Sequence, residues 1–264
     1  MNEAMLQLPG RVHVEPDVDA LFDTLGQAMM DSAQAAIEAR GVFHLALSGG
    51  SSPEPFYRHL VTDPKWRDFP WSKTHLWIVD ERRVSEDDER SNMAMIRAAL
   101  TDHVMIPARQ IHPMPVMEND PATLYEQTLH RHVNQSEADE PPTEQAPTPR
   151  LDFILLGMGG DCHTASLFPN SPAIEVTGRW IAVNEGPAVT PPDRVTMTFP
   201  LINAGRTVAP LIMGGKKFEA LKRIEQKLET HGPAPRELPI TGIQPEAGAL
   251  HWYLDAAATG VVTE

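Results

Sequence analysis

Short β-type runs alternate with amphipathic helical stretches along most of this 264-residue chain. Val12–Val14 precedes Val18, Leu21, Phe22, Leu25, Met29 and Ala36, which recur at helical spacing between an Asp17 cap and an end near Arg40–Gly41. Val42–Leu47 is again β-type, and a helix opens at Pro53, which suits the first helical position. Further strands are expected at Thr74–Val79, Leu151–Leu156, Trp180–Val183, Val195–Phe199, Val208–Met213 and His251–Leu254. Further helices are expected at Asn92–Leu100, at Pro121–Val133 behind an Asp120 cap, after Gly215, and in the Ala-rich stretch near the end. Such alternation predicts an α/β fold whose mostly parallel sheet is covered on both faces. Ligands of such sheets sit at the carboxyl ends of the strands. The residues that follow each strand are therefore the ones to inspect.

Composition narrows the function. The formal net charge is −14, which disfavours contact with phosphate backbones and argues against a nucleic-acid partner. A small anionic ligand remains compatible if a few cations converge on it. No apolar run approaches the roughly 18 residues of a membrane span. The N-terminal stretch has no basic cluster before an apolar run, so a secretory leader is not expected. The single cysteine allows neither an internal disulfide nor a cysteine-based zinc site, and a cytoplasmic location is expected. Residues 134–149 carry four prolines and four acids, the composition of a solvated loop within a single 1–264 domain.

Five post-strand or pre-strand segments carry candidate chemistry. Ser48-Gly49-Gly50-Ser51-Ser52 lies between a strand and a helix, where backbone N–H groups and the helix terminus can cradle an anion. An ordinary turn capped by Ser52 would explain the same residues. The Walker pattern is not met. Asp80-Glu81-Arg82-Arg83 follows a strand, with Ser91-Asn92 beyond it. An Arg there can hold an oxygen in its planar fork, although a solvated charge cluster is the plainer alternative. Gly157-Met158-Gly159-Gly160-Asp161-Cys162-His163 places Asp and His together where a helix is expected to begin. His is a natural general base at neutral pH. Arg194 opens a strand and has a salt bridge as its default role. Lys216 and Lys217 stand at a helix start, an unfavourable place for a cation unless an anion is near. His13, His44 and His75 fall within strands and are expected to be structural. His59, His103 and His112 have no partner at ligand spacing, and no metal motif is present in the sequence.

In order, LALSGGSSPEPFYRHL, WIVDERRVSEDDERSN, LDFILLGMGGDCHTASLFP, PPDRVTMTFPLINAGRTVAPLIMGGKKFEAL and HWYLDAAA resemble the 6-phosphogluconolactonase family. The resemblance covers most of the chain. It departs at Cys162, where the family usually has Gly, and at Ser52, where it usually has Thr. It implies a Rossmann-like three-layer α/β sandwich, as in glucosamine-6-phosphate deaminases. It also implies hydrolysis of 6-phosphoglucono-δ-lactone in the oxidative pentose phosphate pathway. His163 would activate water, Asp161 would orient the His163 ring or bind a sugar hydroxyl, and Arg82 with a backbone N–H near Gly159–Gly160 would stabilise the oxyanion. Ser48, Gly49, Gly50, Ser51, Ser52, Asp80, Arg194 and Lys217 would hold the substrate. No metal or organic cofactor is expected, and the protein would act as a monomer or small homo-oligomer on a small sugar-phosphate lactone. A deaminase would carry an Asn and a Glu after the Asp-x-His motif, whereas this chain has Thr164-Ala165-Ser166-Leu167-Phe168-Pro169. A sugar-phosphate sensor would need a DNA-reading module, and the first 40 residues supply no basic helix-turn-helix.

Overall fold

The computed structural model describes residues 6–134, 147–186, 190–191 and 193–261. Most of the 134–149 segment lies outside the described residues. Seven strands form the central sheet: β1 (Arg11–Glu15), β2 (Phe43–Leu47), β3 (Thr74–Ile78), β5 (Ile111–His112), β6 (Phe153–Leu156), β9 (Thr207–Ile212) and β10 (Ala249–Asp255). Their spatial order is β1-β10-β9-β6-β2-β3-β5, and every pairing is parallel. All five residues of β2 are buried, as a strand covered on both faces requires. The helices are α1 (Val18–Arg40), α2 (Pro53–Thr62), α3 (Asn92–Ile96), α4 (Pro121–Val133), α5 (Phe199–Ala204) and α6 (Phe218–His231). This is an α/β sandwich on a mostly parallel sheet.

Local chemistry sets the expected boundaries. Asp17 accepts from the Ala20 N–H and starts α1, while Gly41 ends it with φ 82°, a left-handed turn that glycine adopts at little cost. Asp120 caps α4 through the Thr123 N–H. Leu21, Leu25 and Met29 of α1 are fully buried, so its apolar stripe faces the core.

Three expectations need correction. The segments around 180 and 195 are strands, but not of the parallel sheet. Instead β4 (Asp80–Arg82), β8 (Asp193–Met197) and β7 (Ile181–Glu185) form a small antiparallel sheet in the order β4-β8-β7. A one-residue break at Val79 is what lets the chain leave β3 for β4. Second, Phe199 begins α5 and does not end a strand, with Pro200 in its first turn. Third, no helix begins at His163. The chain continues through turns, with left-handed Ala165 and Asn170, before a 3₁₀ turn at Pro172–Glu175.

Candidate active site

Four adjacent central strands, β9, β6, β2 and β3, deliver their carboxyl ends to one place. There a cavity of about 220 Å³ is lined by Ser48, Gly49, Gly50, Ser51, Ser52, Asp80, Arg82, Gly159, His163 and Lys217 among others. Ten of the residues singled out in the sequence thus converge on a single cavity, although their chain positions span 48 to 217.

The loop after β2 is shaped by its two glycines for different reasons. Gly50 has φ 103°, which side chains rarely tolerate. A Cβ on Gly49 would collide with the Asn92 carboxamide, so Gly49 is needed for close approach. Ser52 precedes α2 but makes no side-chain cap bond, which removes the plainer explanation of this serine. The amino end of α2 brings its partial positive charge beside the cavity, although Pro53 and Pro55 have no N–H to offer an anion. Ser48 Oγ and Asn92 Oδ1 are buried without a protein partner, and both residues line the cavity. Buried polar atoms left this way mark a place where a ligand or water bonds.

Side chains alternate along β4. Asp80 and Arg82 reach the cavity, while Glu81 turns into the start of α3. Asp80 accepts a hydrogen bond from the Ser166 hydroxyl at 2.6 Å, and its backbone carbonyl accepts from Asn92 Nδ2 at 2.6 Å. Glu81 accepts from the Ser91 hydroxyl and from the backbone N–H groups of Arg82, Asn92 and Met93. Burial raises its pKa, and those four bonds oppose the rise. Glu81 thereby pins Asn92 beside the Gly-rich loop.

In the loop after β6, Asp161 Oδ1 lies 2.6 Å from His163 Nδ1 and also accepts from the His163 backbone N–H at 3.2 Å. Nδ1 is thus engaged, and Nε2 is left with its lone pair. Burial opposes ionisation of Asp161, but its hydrogen bonds from His163 outweigh this and lower its pKa. A Cβ on Gly159 would collide with the His163 ring, so glycine makes room for the base. The Gly159 N–H itself donates to the His163 carbonyl at 2.9 Å. Cys162 has φ 68°, the left-handed region that accounts for a glycine at this position in the family. Its thiol is fully buried, accepts from Arg223 Nη2 at 3.0 Å, and has its pKa raised by that burial. It faces α6 through Ala220 and does not line the cavity, so it is no nucleophile for a ligand there.

Lys217 Nζ donates to the Met158 carbonyl at 2.6 Å, and partial burial lowers its pKa. Lys216 is exposed and does not line the cavity. Gly160, Asp161 and Arg194 are not among the lining residues. Asp161 acts through His163. The Gly160 carbonyl accepts from Arg223. Arg194 is 4% exposed, lies directly across from Arg82 in the β4–β8 pairing, and donates to the carbonyls of Pro191 and Asp193. Burial, and then the Arg82 charge, depress its pKa. Asn92 and Ser166 carry the positioning that sequence reasoning left unassigned. The one visible signal was Ser91-Asn92 at the start of a helix.

An α/β protein that sets an Asp–His pair, two kinds of cation and a Gly-Ser anion cradle at the carboxyl edge of its sheet has the layout of a sugar-phosphate enzyme. Residues 16–252 match the family model described as glucosamine-6-phosphate isomerases/6-phosphogluconolactonase. The chain is 38% identical over 252 residues to the 6-phosphogluconolactonase of Nostoc sp., covering 94% of this chain and 96% of that one. The chain belongs to the 6-phosphogluconolactonase family, within the glucosamine-6-phosphate isomerase/6-phosphogluconolactonase superfamily. The structure of 6-phosphogluconolactonase from Leishmania guyanensis superposes with TM-score 0.73 at 25% identity, over 97% of this chain and 100% of that one. A monomeric glucosamine-6-phosphate deaminase shares the fold at TM-score 0.73 and 17% identity, over 96% of this chain and 100% of that one.

Proposed function

We propose that this chain hydrolyses 6-phosphoglucono-δ-lactone to 6-phosphogluconate with His163 as general base. It is a 6-phosphogluconolactonase-type hydrolase of a sugar-phosphate lactone by its family, and the finer assignment rests on one observation. The cavity-lining His163 has Nδ1 tied to Asp161 at 2.6 Å, and the same cavity holds Arg82, Lys217 and the 48–52 loop.

A lactone is an internal ester. His163 Nε2 takes a proton from water as the water oxygen attacks C1. Asp161 steadies the imidazolium that forms. The tetrahedral oxyanion is stabilised by Arg82; the backbone N–H expected near Gly159–Gly160 is not free for it, because the Gly159 N–H donates to the His163 carbonyl and Gly160 does not line the cavity. As the C1–ring oxygen bond breaks, His163 returns the proton to that oxygen, leaving a carboxylic acid that ionises and a free hydroxyl. The substrate phosphate sits against the Ser48–Ser52 loop, with Lys217 neutralising it, while the buried Arg194 adds its charge from behind Arg82 across the β4–β8 pairing. Asp80, held by Ser166, accepts from a sugar hydroxyl.

No helix of the described residues is long and apolar enough to cross a membrane. We place the protein in the cytoplasm as a monomer or small homo-oligomer, in keeping with its single, buried cysteine. Titrating acid released from freshly generated 6-phosphoglucono-δ-lactone, beside an ammonia assay with glucosamine 6-phosphate, tests the reading. Acid release from the lactone and no ammonia from the amino sugar is the expected result. Ammonia release without lactone turnover would refute it.

A further inference from the structure

On one face of the sheet, outside the lining of the cavity, the fold gathers histidines that lie far apart in the sequence. His75 is on β3, His112 on β5, and His132 in the last turn of α4. The register explains the meeting. His44 pairs with His75, and Trp77 pairs with His112, so these side chains share one sheet face. Helix α4 packs on that face through Tyr125, whose hydroxyl bonds the Ile78 N–H and the His112 carbonyl. His75 Nδ1 and His112 Nε2 are 3.0 Å apart, and one nitrogen from each of His75, His112 and His132 lies within 4.8 Å of the others. His75 precedes Asp80 by about five residues of extended chain, roughly 16 Å.

We propose that His75, His112 and His132 form a binding site for a divalent transition-metal ion of the zinc type, completed by solvent. Two nitrogens on one tetrahedral zinc at about 2.0–2.1 Å stand about 3.3 Å from each other. The His75–His112 pair is already near that separation, and a small shift of the His132 ring at the helix end brings in the third. The His75–His112 contact is itself a hydrogen bond, whose proton the ion would displace, and the rings have few other competing partners. His132 makes ring contacts but no hydrogen bond among the described residues. His44 is not a ligand, because its Nδ1 accepts from Trp77 Nε1 at 3.2 Å. The Trp77 ring stacks on His112 at 4.0 Å and 14°, which fixes the orientation of the buried ligand. His75 and His132 are partly exposed and give the ion an entry.

The donor set selects the ion. Three imidazoles without a carboxylate suit zinc, copper or nickel and not magnesium or calcium. The carboxyl end of α4 turns its negative pole toward His132, whereas Arg109 and Arg131 add positive charge nearby. Retention therefore depends on coordinate bonds and not on the local field. The ion would tie the two-residue edge strand β5 to β3 and α4, so its effect falls on stability, not on turnover.

The test is equilibrium dialysis of the full chain, first stripped with a chelator, against ZnCl2 and separately against MgCl2, with thermal melts of each. The expected result is a single bound equivalent of zinc, a raised Tm, and no response to magnesium. His132→Gln, at the part-exposed helix end, and His75→Gln should each weaken zinc binding by more than the roughly 10–100-fold that losing an outer-shell partner costs. Metal-free kcat/KM should stay at the wild-type value in His132→Gln, and His163→Asn should still bind zinc. Absence of zinc binding, or binding unchanged in His132→Gln, or binding lost in His163→Asn, would overturn the proposal.

Discussion

Gly159→Ala should silence the enzyme while leaving it folded. The backbone at Gly159 is not in the left-handed region, so the substitution strains no torsion. The obstacle is space, since the new methyl would overlap the His163 ring and crowd the Asp161 carboxylate. Overpacking of this kind costs about 1–3 kcal/mol. At about 2–4 °C per kcal/mol for a chain near this size, Tm should fall by about 2–12 °C. The ring can escape by moving outward by about 1 Å, which breaks the 2.6 Å bond to Asp161. A misplacement of that size costs about 10²-fold in rate. The Ser48–Ser52 loop is untouched, so KM should change little. Ala at Gly160, which does not line the cavity and where a Cβ meets nothing within 4 Å, should be far milder on both readouts. Initial rates of acid release from freshly made lactone, with melts on the same samples, provide the assay. A Gly159→Ala enzyme with wild-type kcat would refute the claim that glycine is there to seat the base.

Further outcomes follow from the same geometry. Lys217→Ala should raise KM more than it lowers kcat, because phosphate contacts act on ground and transition states alike. Equal losses on phosphorylated and plain glucono-δ-lactone would contradict that. Cys162→Gly should keep activity, since its buried thiol faces α6; relief of about 1–2 kcal/mol of left-handed strain offsets the lost thiol packing, so its Tm should exceed that of Cys162→Ala. An acyl-cysteine trapped by mass spectrometry would overturn this reading. His13 and His251 lie 3.2 Å apart, and burial holds both below the ordinary imidazole value of 6.5. With depressed native pKa values, their contribution is present above pH 6.5 and is lost as pH falls below it, when the unfolded chain takes protons first. His13→Gln should therefore flatten the fall of Tm on the acid side of pH 6.5, and an unchanged slope would exclude the pair as its source.

The sheet and its site were legible for physical reasons. Parallel strands covered on both faces appear as continuous apolar runs, and the residues after them must lie at one edge, so the motifs after β2, β3, β6 and β9 had to meet. The antiparallel β4-β8-β7 sheet was not legible, because nothing in the local pattern of residues 180–199 distinguishes a strand of one sheet from a strand of another. The helix expected after His163 fails for a related reason. Asp161 resembles a cap, but its carboxylate is occupied by the His163 side chain and N–H. Asn92 was visible without a role, which only the close approach of Gly49 reveals. The histidines at 75, 112 and 132 could not be connected from spacing, since their meeting depends on sheet register and on where α4 lies.

Acid release from 6-phosphoglucono-δ-lactone by wild-type and His163→Asn proteins, corrected for spontaneous hydrolysis, tests the assignment of the base most directly. The wild type should turn over the lactone well above the spontaneous rate, and His163→Asn should lose about 10²–10⁴-fold in kcat with little change in KM. A variant as active as the wild type would contradict the account.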